Sequence, residues 1–518
     1  MKRIARLTTL IFLLHGLLHG IAAGQGIQTF RLSNFESARP ASNSVDAIAV
    51  SGDTVWFGTG NGPAISVDGT TWRNFGNTGT FDDKSIAAIA ISNEIIWASA
   101  AYTEQRDDAV IQTGDGLHWT TDRGVTWSRI PQPIDAGTVD TLTYGINSIA
   151  SLAVTVPQQN VTFDIAITGS TVWIASWAGG LRRSTDRGQT WQRVVLPPDN
   201  LDSISPNDTL DFDLAVAAGA LDLRPNYNHV AFSIHASNDS TVWVGTAAGI
   251  NKTTDAGAVW PRWQRFSHQN QARPISGNFV VGLNEQLIDT QRILWAATVN
   301  ALDQDEFQAL SFSTDGGSSW TVTLDGERVH NVAHKDSVVY AATNRGVFRS
   351  ADRAQTWIRS GSVYDPANNQ RFTASELFAV GANGDTVWVG GPEGAAYTID
   401  GSGQTFGTSW HVFRTYVPVG ATSTTYSFPS PFSPGDEVVR LHYSTHGASL
   451  PVTIRIFDFG MQPVKTVIQN AIRSGAYEHD EIWDGKSDKG NIVANGVYFY
   501  RVELGDHGRF WGKIYVLR

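Results

Sequence analysis

The chain has 518 residues, a net charge of −11, 18 tryptophans, 50 glycines and no cysteine. Its length suits a large repeat domain or two domains, and its acidity argues against nucleic acid as a partner, which wants a basic stripe. The missing cysteines exclude disulfides, thiolate metal sites, a cysteine nucleophile and a lipid-modified N-terminal cysteine.

Taken from the start, MKRIAR is basic, Leu7 to Leu18 is an apolar core, and Gly20, Ala22 and Ala23 are small. This pattern predicts a secretory signal peptide over 1–23, cleaved near Ala22 or Ala23. The apolar run is too short and interrupted for a membrane span, and no later stretch reaches spanning length. A secreted or cell-surface protein with no membrane span in the mature chain is expected.

From about residue 33 a unit recurs. STDRGQTW at 184–191 has close copies at 120–127 (TTDRGVTW), 313–320 (STDGGSSW) and 350–357 (SADRAQTW). Weaker ones stand at 66–72 (SVDGTTW), 253–260 (TTDAGAVW) and 398–406 (TIDGSGQTF). Each follows an apolar core such as TVWFGT (54–59), TVWIAS (171–176) or TVWVGG (386–391). These cores are continuously apolar rather than alternating, which predicts a strand buried on both faces. Most have another short strand upstream and one downstream, so a unit reads strand, strand, strand, octad, strand. Seven such units predict an all-β, seven-bladed β-propeller over 24–416.

Within an octad the hydroxyl and carboxylate suit hydrogen bonds to their own turn, and the glycine suits a left-handed backbone. The string resembles the Asp-box (BNR) repeat, S-x-D-x-G-x-T-W, of the sialidase-like, sortilin-like and photosystem II assembly-factor-like superfamily, which also includes xyloglucan-cleaving hydrolases. The resemblance implies that Asp68, Asp122, Asp186, Asp255, Asp315, Asp352 and Asp400, with Trp72, Trp127, Trp191, Trp260, Trp320 and Trp357, fasten the fold away from any ligand.

Long insertions fall at 101–113, 131–146, 196–228, 264–277 and 300–309, in connections that should share one opening of the ring. Loops on a rigid scaffold are where function tends to sit. Catalytic candidates there are Asp107, Asp303, Asp305 and Glu306, since glycoside hydrolysis needs two carboxylates about one bond. Binding candidates are Tyr102, Glu104, Asp108, Trp177 and Glu393. Arg129-Ile130-Pro131 resembles a sialidase arginine motif but follows its octad on an expected outer strand, so it is read as chance. Asp208, Asp211 and Asp213 lack EF-hand spacing, and His330 and His334 lack a metal-binding context, so neither a metal nor a cofactor is expected.

The composition changes after Tyr416. VGATSTTYSFPSPFSP reads as a linker over 417–434. Beyond it, VTIRIF (452–457) and VYFYRV (497–502) alternate, which predicts a small β-sandwich over 435–518. Pro429-Ser-Pro-Phe432, Ile454-Arg-Ile-Phe-Asp458, Trp483-Asp-Gly485 and Gly496-Val-Tyr498 resemble the FlgD-type immunoglobulin-like domain. That resemblance implies a bacterial module for type IX secretion, sorting or surface attachment, with export or cell-surface machinery as its partner. The combined expectation is an exported, non-enzymatic propeller that binds a protein or carbohydrate through its loop-rich face. The alternative is a glycoside hydrolase of sialidase-like fold.

Overall fold

The computed structural model describes residues 29–31, 36–37 and 39–517 apart from short internal segments, of which 215–225 and 416–424 are the longest. The expected signal peptide, Asp68, Asp107 and Asp108 lie outside the described residues. Among the described residues the chain is all-β, with only two single-turn 3-10 helices, Tyr227–His229 and Gly505–His507.

Among the described residues, seven antiparallel sheets of four or five strands precede residue 414. Their innermost strands are Val45–Ser51, Ser85–Ser92, Thr162–Thr168, Ala231–Ala236, Phe279–Ile288, Val329–Lys335 and Ala379–Asn383. Each packs against the next, and the last packs back on the first, so the sheets form a closed, propeller-like ring. The second strands are buried along nearly their whole length, as in Thr54–Thr59 and Thr171–Ser176, because a neighbouring sheet covers each face. Six of the seven inner strands skip a partner near their start, with Asp46, Ala87, Phe163, Phe232, Val281 and His330 as the extra residues. Such bulges bend a strand and re-aim a side chain.

Aromatic rings fill the gaps between sheets. Trp56, Trp97, Trp173, Trp243, Trp295, Tyr340 and Trp388, one per second strand, are all buried. Trp127, on the outer strand of the second sheet, meets Trp56 of the first edge-on at 6.1 Å; Trp72 meets Trp388 of the seventh at 5.9 Å. Each such ring hides 150–250 Å² of surface.

The octads form the turn between third and fourth strands. In the unit at 184–191, Asp186 Oδ1 accepts the Ser184 hydroxyl (2.7 Å) and the Thr190 N–H (2.9 Å), and Oδ2 accepts the Thr190 hydroxyl (2.6 Å). Ser184 Oγ in turn accepts the Gly188 N–H at 2.7 Å. The same four bonds recur around Asp122, Asp315 and Asp352. Arg187 and Gly188 both take a left-handed backbone (φ 58° and 82°). A Cβ on Gly188 would lie 2.3 Å from Ile130 Cδ1, which explains the glycine twice over. Two units depart from the pattern: Asp255 Oδ1 reaches the Arg262 N–H, and Asp400 Oδ2 bonds Tyr340 and Arg349 of the sixth sheet.

The spare N-terminal strand divides. Thr29–Arg31 pairs with the outer strand of the second sheet and Glu36–Ser37 with that of the first. The seventh sheet keeps its own outer strand, His411–Phe413, so the ring closes without exchanging a strand. Side chains join the ends instead: Asn43 Oδ1 accepts the Thr415 N–H at 2.7 Å, and the Thr415 hydroxyl donates to Pro40 O at 2.9 Å.

The C-terminal region packs a three-stranded sheet (Thr425–Phe428, Val439–Ser444, Glu478–Trp483) on a four-stranded one (Leu450–Phe457, Pro463–Arg473, Gly496–Leu504, Arg509–Val516). Val439, Leu441, Ile454, Trp483, Tyr500 and Ile514 fill the space between them. Part of the segment expected as linker therefore belongs to this module: 425–428 pairs with 440–443, and Phe432 is buried in its core. The reason is that YSF and PF carry apolar groups which Ser, Thr and Pro flank but do not solvate.

Candidate functional site

The insertions separate into two kinds. The one at 101–113 is no loop: strands Ile95–Arg106 and Ala109–Thr120 pair almost to the tip, making a rigid arm. That arm reaches the C-terminal module, where Arg473 donates to Gln105 Oε1 at 2.9 Å. Tyr102 lies under the Lys84 ammonium, 4.0 Å from ring centre to Nζ. Glu104 accepts from Gln158 at 2.8 Å and Arg106 at 2.9 Å, and these donors hold its carboxyl below the usual range. The insertion at 131–146 likewise supplies half of a ribbon, Val139–Tyr144 with Asn147–Leu152.

The remaining insertions, 196–228, 264–277 and 300–309, converge. They enclose a cavity of about 690 Å³ over the fourth and fifth sheets, lined by Asp199, Asp202, Tyr227, Arg265, Asn270 and Asp303 among others. Of the acids expected to matter, Asp303 and Glu306 line it; Asp305 is exposed in the same turn but does not.

The four cavity carboxylates are not equivalent. Glu306 is buried, and its oxygens accept from Ala301 N (2.6 Å), Asn278 Nδ2 (2.7 Å), Gln269 Nε2 (3.0 Å) and Asn278 N (3.1 Å). Its lone pairs are taken, so it shapes the wall. Asp199 accepts the N–H groups of Asn228 (2.8 Å) and Tyr227 (2.9 Å); burial pushes its carboxyl up while those bonds oppose it. Asp202 and Asp303 face water. Asp202 contacts Asn270 Nδ2 (2.8 Å) and Arg265 (3.4 Å). Asp303 accepts the Asp305 N–H (3.2 Å) and Gln269 Nε2 (3.3 Å), donors that hold it below the ordinary carboxylate range. Arg265 also donates to Asp199 O, Leu201 O and Ala248 O, tying two loops to one strand. The cavity thus offers two accessible carboxylates in a frame of amides fixed by buried bonds.

Beside it runs a row of rings. Asn278 lines the cavity and Phe279 follows it; Phe279 sits 5.8 Å from Phe232, which sits 6.1 Å from Phe163. On the next two sheets His330 meets Phe378 edge-on at 5.8 Å. All are half-buried at the start of inner strands, where the bulge turns Phe163 and Phe232 out of the ladder. These rings escaped sequence reasoning, although a Phe recurs just before the apolar run in TFDIAI, AFSIHA, NFVVGL and LFAVGA.

The other candidates are dispersed. Trp177 is half-buried in the turn after Thr171–Ser176. Glu393 accepts from Thr373 N (2.7 Å), Ala374 N (3.1 Å) and Arg414, which makes it a tie of the seventh sheet. Arg129 leans on Asp115 at the edge of the second sheet. Asp208 caps its own turn through the Ser205 N–H, and among the described residues no three metal-ligating side chains cluster. The axis holds a second cavity of about 570 Å³ lined by all seven inner strands. Near its wall, burial pushes Asp46 up to about 6 and Asp164 up to about 7. No helix among the described residues is long and apolar enough to cross a membrane.

No protein-family model matches the chain. In sequence it is similar to the xyloglucanase Xgh74A of Acetivibrio thermocellus, 22% identical over 280 residues, 48% of this chain and 29% of that protein. The chain spans less than a third of the length of the curated relatives it matches. Among solved structures, the GH74 enzyme of Niastella koreensis aligns with TM-score 0.49 at 13% identity over 95% of this chain and 75% of that one. YCF48 bound to D1 peptide aligns with TM-score 0.42 at 13% identity over 74% of this chain and 98% of that one.

Proposed function

We propose that the chain is an exported, carbohydrate-active seven-bladed β-propeller built on Asp-box repeats, with an immunoglobulin-like C-terminal module for secretion or surface attachment, and that it takes hold of a polysaccharide at the cavity between 199 and 306. The observation that carries this reading is the cavity itself: two water-facing carboxylates, Asp202 and Asp303, in a wall of fixed amides with Phe279 adjoining. Amide and carboxylate groups suit sugar hydroxyls, and ring faces suit the apolar faces of pyranoses.

The sequence similarity to xyloglucanases favours hydrolysis of a β-glucan backbone as the activity to test first. Such a reaction needs a proton donor and a second carboxylate that stays ionised. Asp303, held low by its donors, suits the ionised role, and Asp199, pushed up by burial, the proton donor. Binding without cleavage is the second reading; the Phe163–Phe232–Phe279 row favours it, because stacking needs no catalyst.

The test is purified protein against xyloglucan and other β-glucans, measuring reducing ends and retardation in polysaccharide-containing gels. Cleavage abolished by Asp303→Asn supports the hydrolase. Retardation without cleavage, weakened by Phe232→Ala, supports binding alone. Neither effect with any neutral glucan removes the carbohydrate reading.

A further inference from the structure

The ten Lys and Arg residues of 435–518 balance its ten Asp and Glu residues, so the chain's negative charge resides elsewhere. Within this neutral module the charges are sorted. In the four-stranded sheet, one side of each strand faces the core: Ile454 and Ile456, Tyr498 and Tyr500, Ile514 and Val516. The alternate positions face outward. There Phe457 pairs with Phe499 and Phe499 with Lys513, and in the next row Arg455 pairs with Arg501 and Arg501 with Trp511.

This outward face is aromatic and cationic together. Trp511 is 46% exposed, Tyr515 39% and Phe459, just past the Phe457 strand, 77%. The Arg501 guanidinium lies 5.3 Å from both the Phe457 and Trp511 rings, and Lys513 Nζ lies 5.3 Å from the Tyr515 ring. A single carboxylate, Glu503, serves three guanidiniums: Arg501 at 2.6 Å, Arg455 at 3.5 Å and Arg509 at 3.9 Å. Asp458 is tied to its own turn, accepting the Gln462 N–H at 2.9 Å. Among the described residues, Arg455, Arg501, Arg509 and Lys513 therefore stand against Glu503 and Asp458, so the face is net positive, and its rings are braced by the cations between them.

We propose that this face binds an acidic polysaccharide, a chain of sugar rings bearing carboxylates or sulfates. Flat rings on a rigid sheet match the apolar faces of pyranoses, and interleaved cations match charges that repeat along a polymer. The site is separate from the cavity between 199 and 306 and does not depend on its reading.

The test uses the full chain in gels containing polygalacturonate or dextran sulfate, with neutral dextran as control. Retardation is expected in the acidic gels only, and it should fall steeply as salt rises from about 0.05 M to about 0.5 M. Trp511→Ala should weaken it about tenfold, equivalent to the loss of one buried ring contact. The double charge reversal Arg509→Glu, Lys513→Glu, on exposed side chains that leave the core untouched, should abolish it while the melting temperature and any retardation by neutral β-glucans stay as they were. Equal retardation by neutral dextran, or undiminished binding by the charge-reversed protein, would overturn the proposal. So would tighter binding to vesicles of phosphatidylcholine with phosphatidylglycerol than to either polysaccharide, which would assign the face to membranes.

Discussion

The corner turns of the ring and the cavity above the fourth and fifth sheets both hold carboxylates, but they use them differently. Asp122, Asp186, Asp315 and Asp352 each saturate their oxygens with the same three partners within four residues. The cavity draws Asp199, Asp202, Asp303 and Glu306 from loops more than a hundred residues apart, and no two share a set of partners. Repetition belongs to carboxylates that hold the fold; singular surroundings belong to those that can meet a ligand. Glu306 shows that position alone is not enough: it lines the cavity, yet its hydrogen bonds make it a structural tie.

The widest separation should come from the inter-sheet rings. Trp127→Ala, which empties a site shared by Trp56, Phe75 and Phe81, should cost about 3–5 kcal/mol in urea unfolding, whereas Asp303→Asn should stay within about 0.5 kcal/mol and change only ligand binding. If Asp303→Asn unfolds the protein, the division between tie and ligand group is wrong.

Asp186→Ala removes three bonds to an ionised group and should cost about 1–3 kcal/mol with glycan retardation unchanged. Loss of retardation in a folded variant would place the corner in the ligand site.

The pH dependence should have two limbs. Hydrogen bonds from Thr356 hold Asp352 at about 2, below its unfolded value, so the stability it contributes is complete above about pH 4 and disappears as the pH falls toward 2. Burial raises Asp164 to about 7, so between about pH 4 and 7 the folded state keeps a proton that the unfolded chain has shed. The contribution of Asp164 therefore declines as pH rises through that window, while His118 and His229, which burial lowers to about 3, give the opposite slope below about pH 6.5. Melting curves on Asp164→Asn should lose the part of the neutral decline that Asp46, raised to about 6, does not supply, and keep the acid limb; an unchanged decline between about pH 6 and 7 would assign the titration to another group.

The smallest effect tests the turn. Ala354 occupies the glycine position of its octad with φ 64°, so Ala354→Gly should change stability by less than about 1 kcal/mol, in the stabilising direction if relief of the left-handed backbone exceeds the added chain entropy. Gly188→Ala should destabilise by about 1–2 kcal/mol. A larger loss at 354 than at 188 would mean that the turns are not equivalent.

The repeats were legible because their causes are local. A serine or threonine two residues before an aspartate, a glycine two after it and a serine or threonine four after it already contain the partners of the corner turn. The continuously apolar second strands announced burial on both faces, and TVWIAS is buried throughout after its first residue. The cavity was legible only in part. Asp303 and Glu306 stood out as acids in an insertion, but Asp199, Arg265 and Asn278 carry no motif, and their relation depends on which loops the ring sets side by side. The arm at 101–113 read as a loop because AYTEQRDDAVIQT is polar; pairing between its two halves made it a strand pair, and contact with the C-terminal module gave it a tip partner.

The sequence by itself determined the unit: its turn, its buried second strand and its aromatic plug, all set by interactions within a few residues or by the need to bury both faces of an apolar strand. Tertiary structure decided what the units enclose. Closing seven sheets on themselves gave the axial channel, turned Phe163, Phe232 and Phe279 into one row, and left Asp202 and Asp303 facing water while Glu306 spent its lone pairs on the frame. Those outcomes depend on distances between residues far apart in the chain, which only the packing of whole sheets fixes.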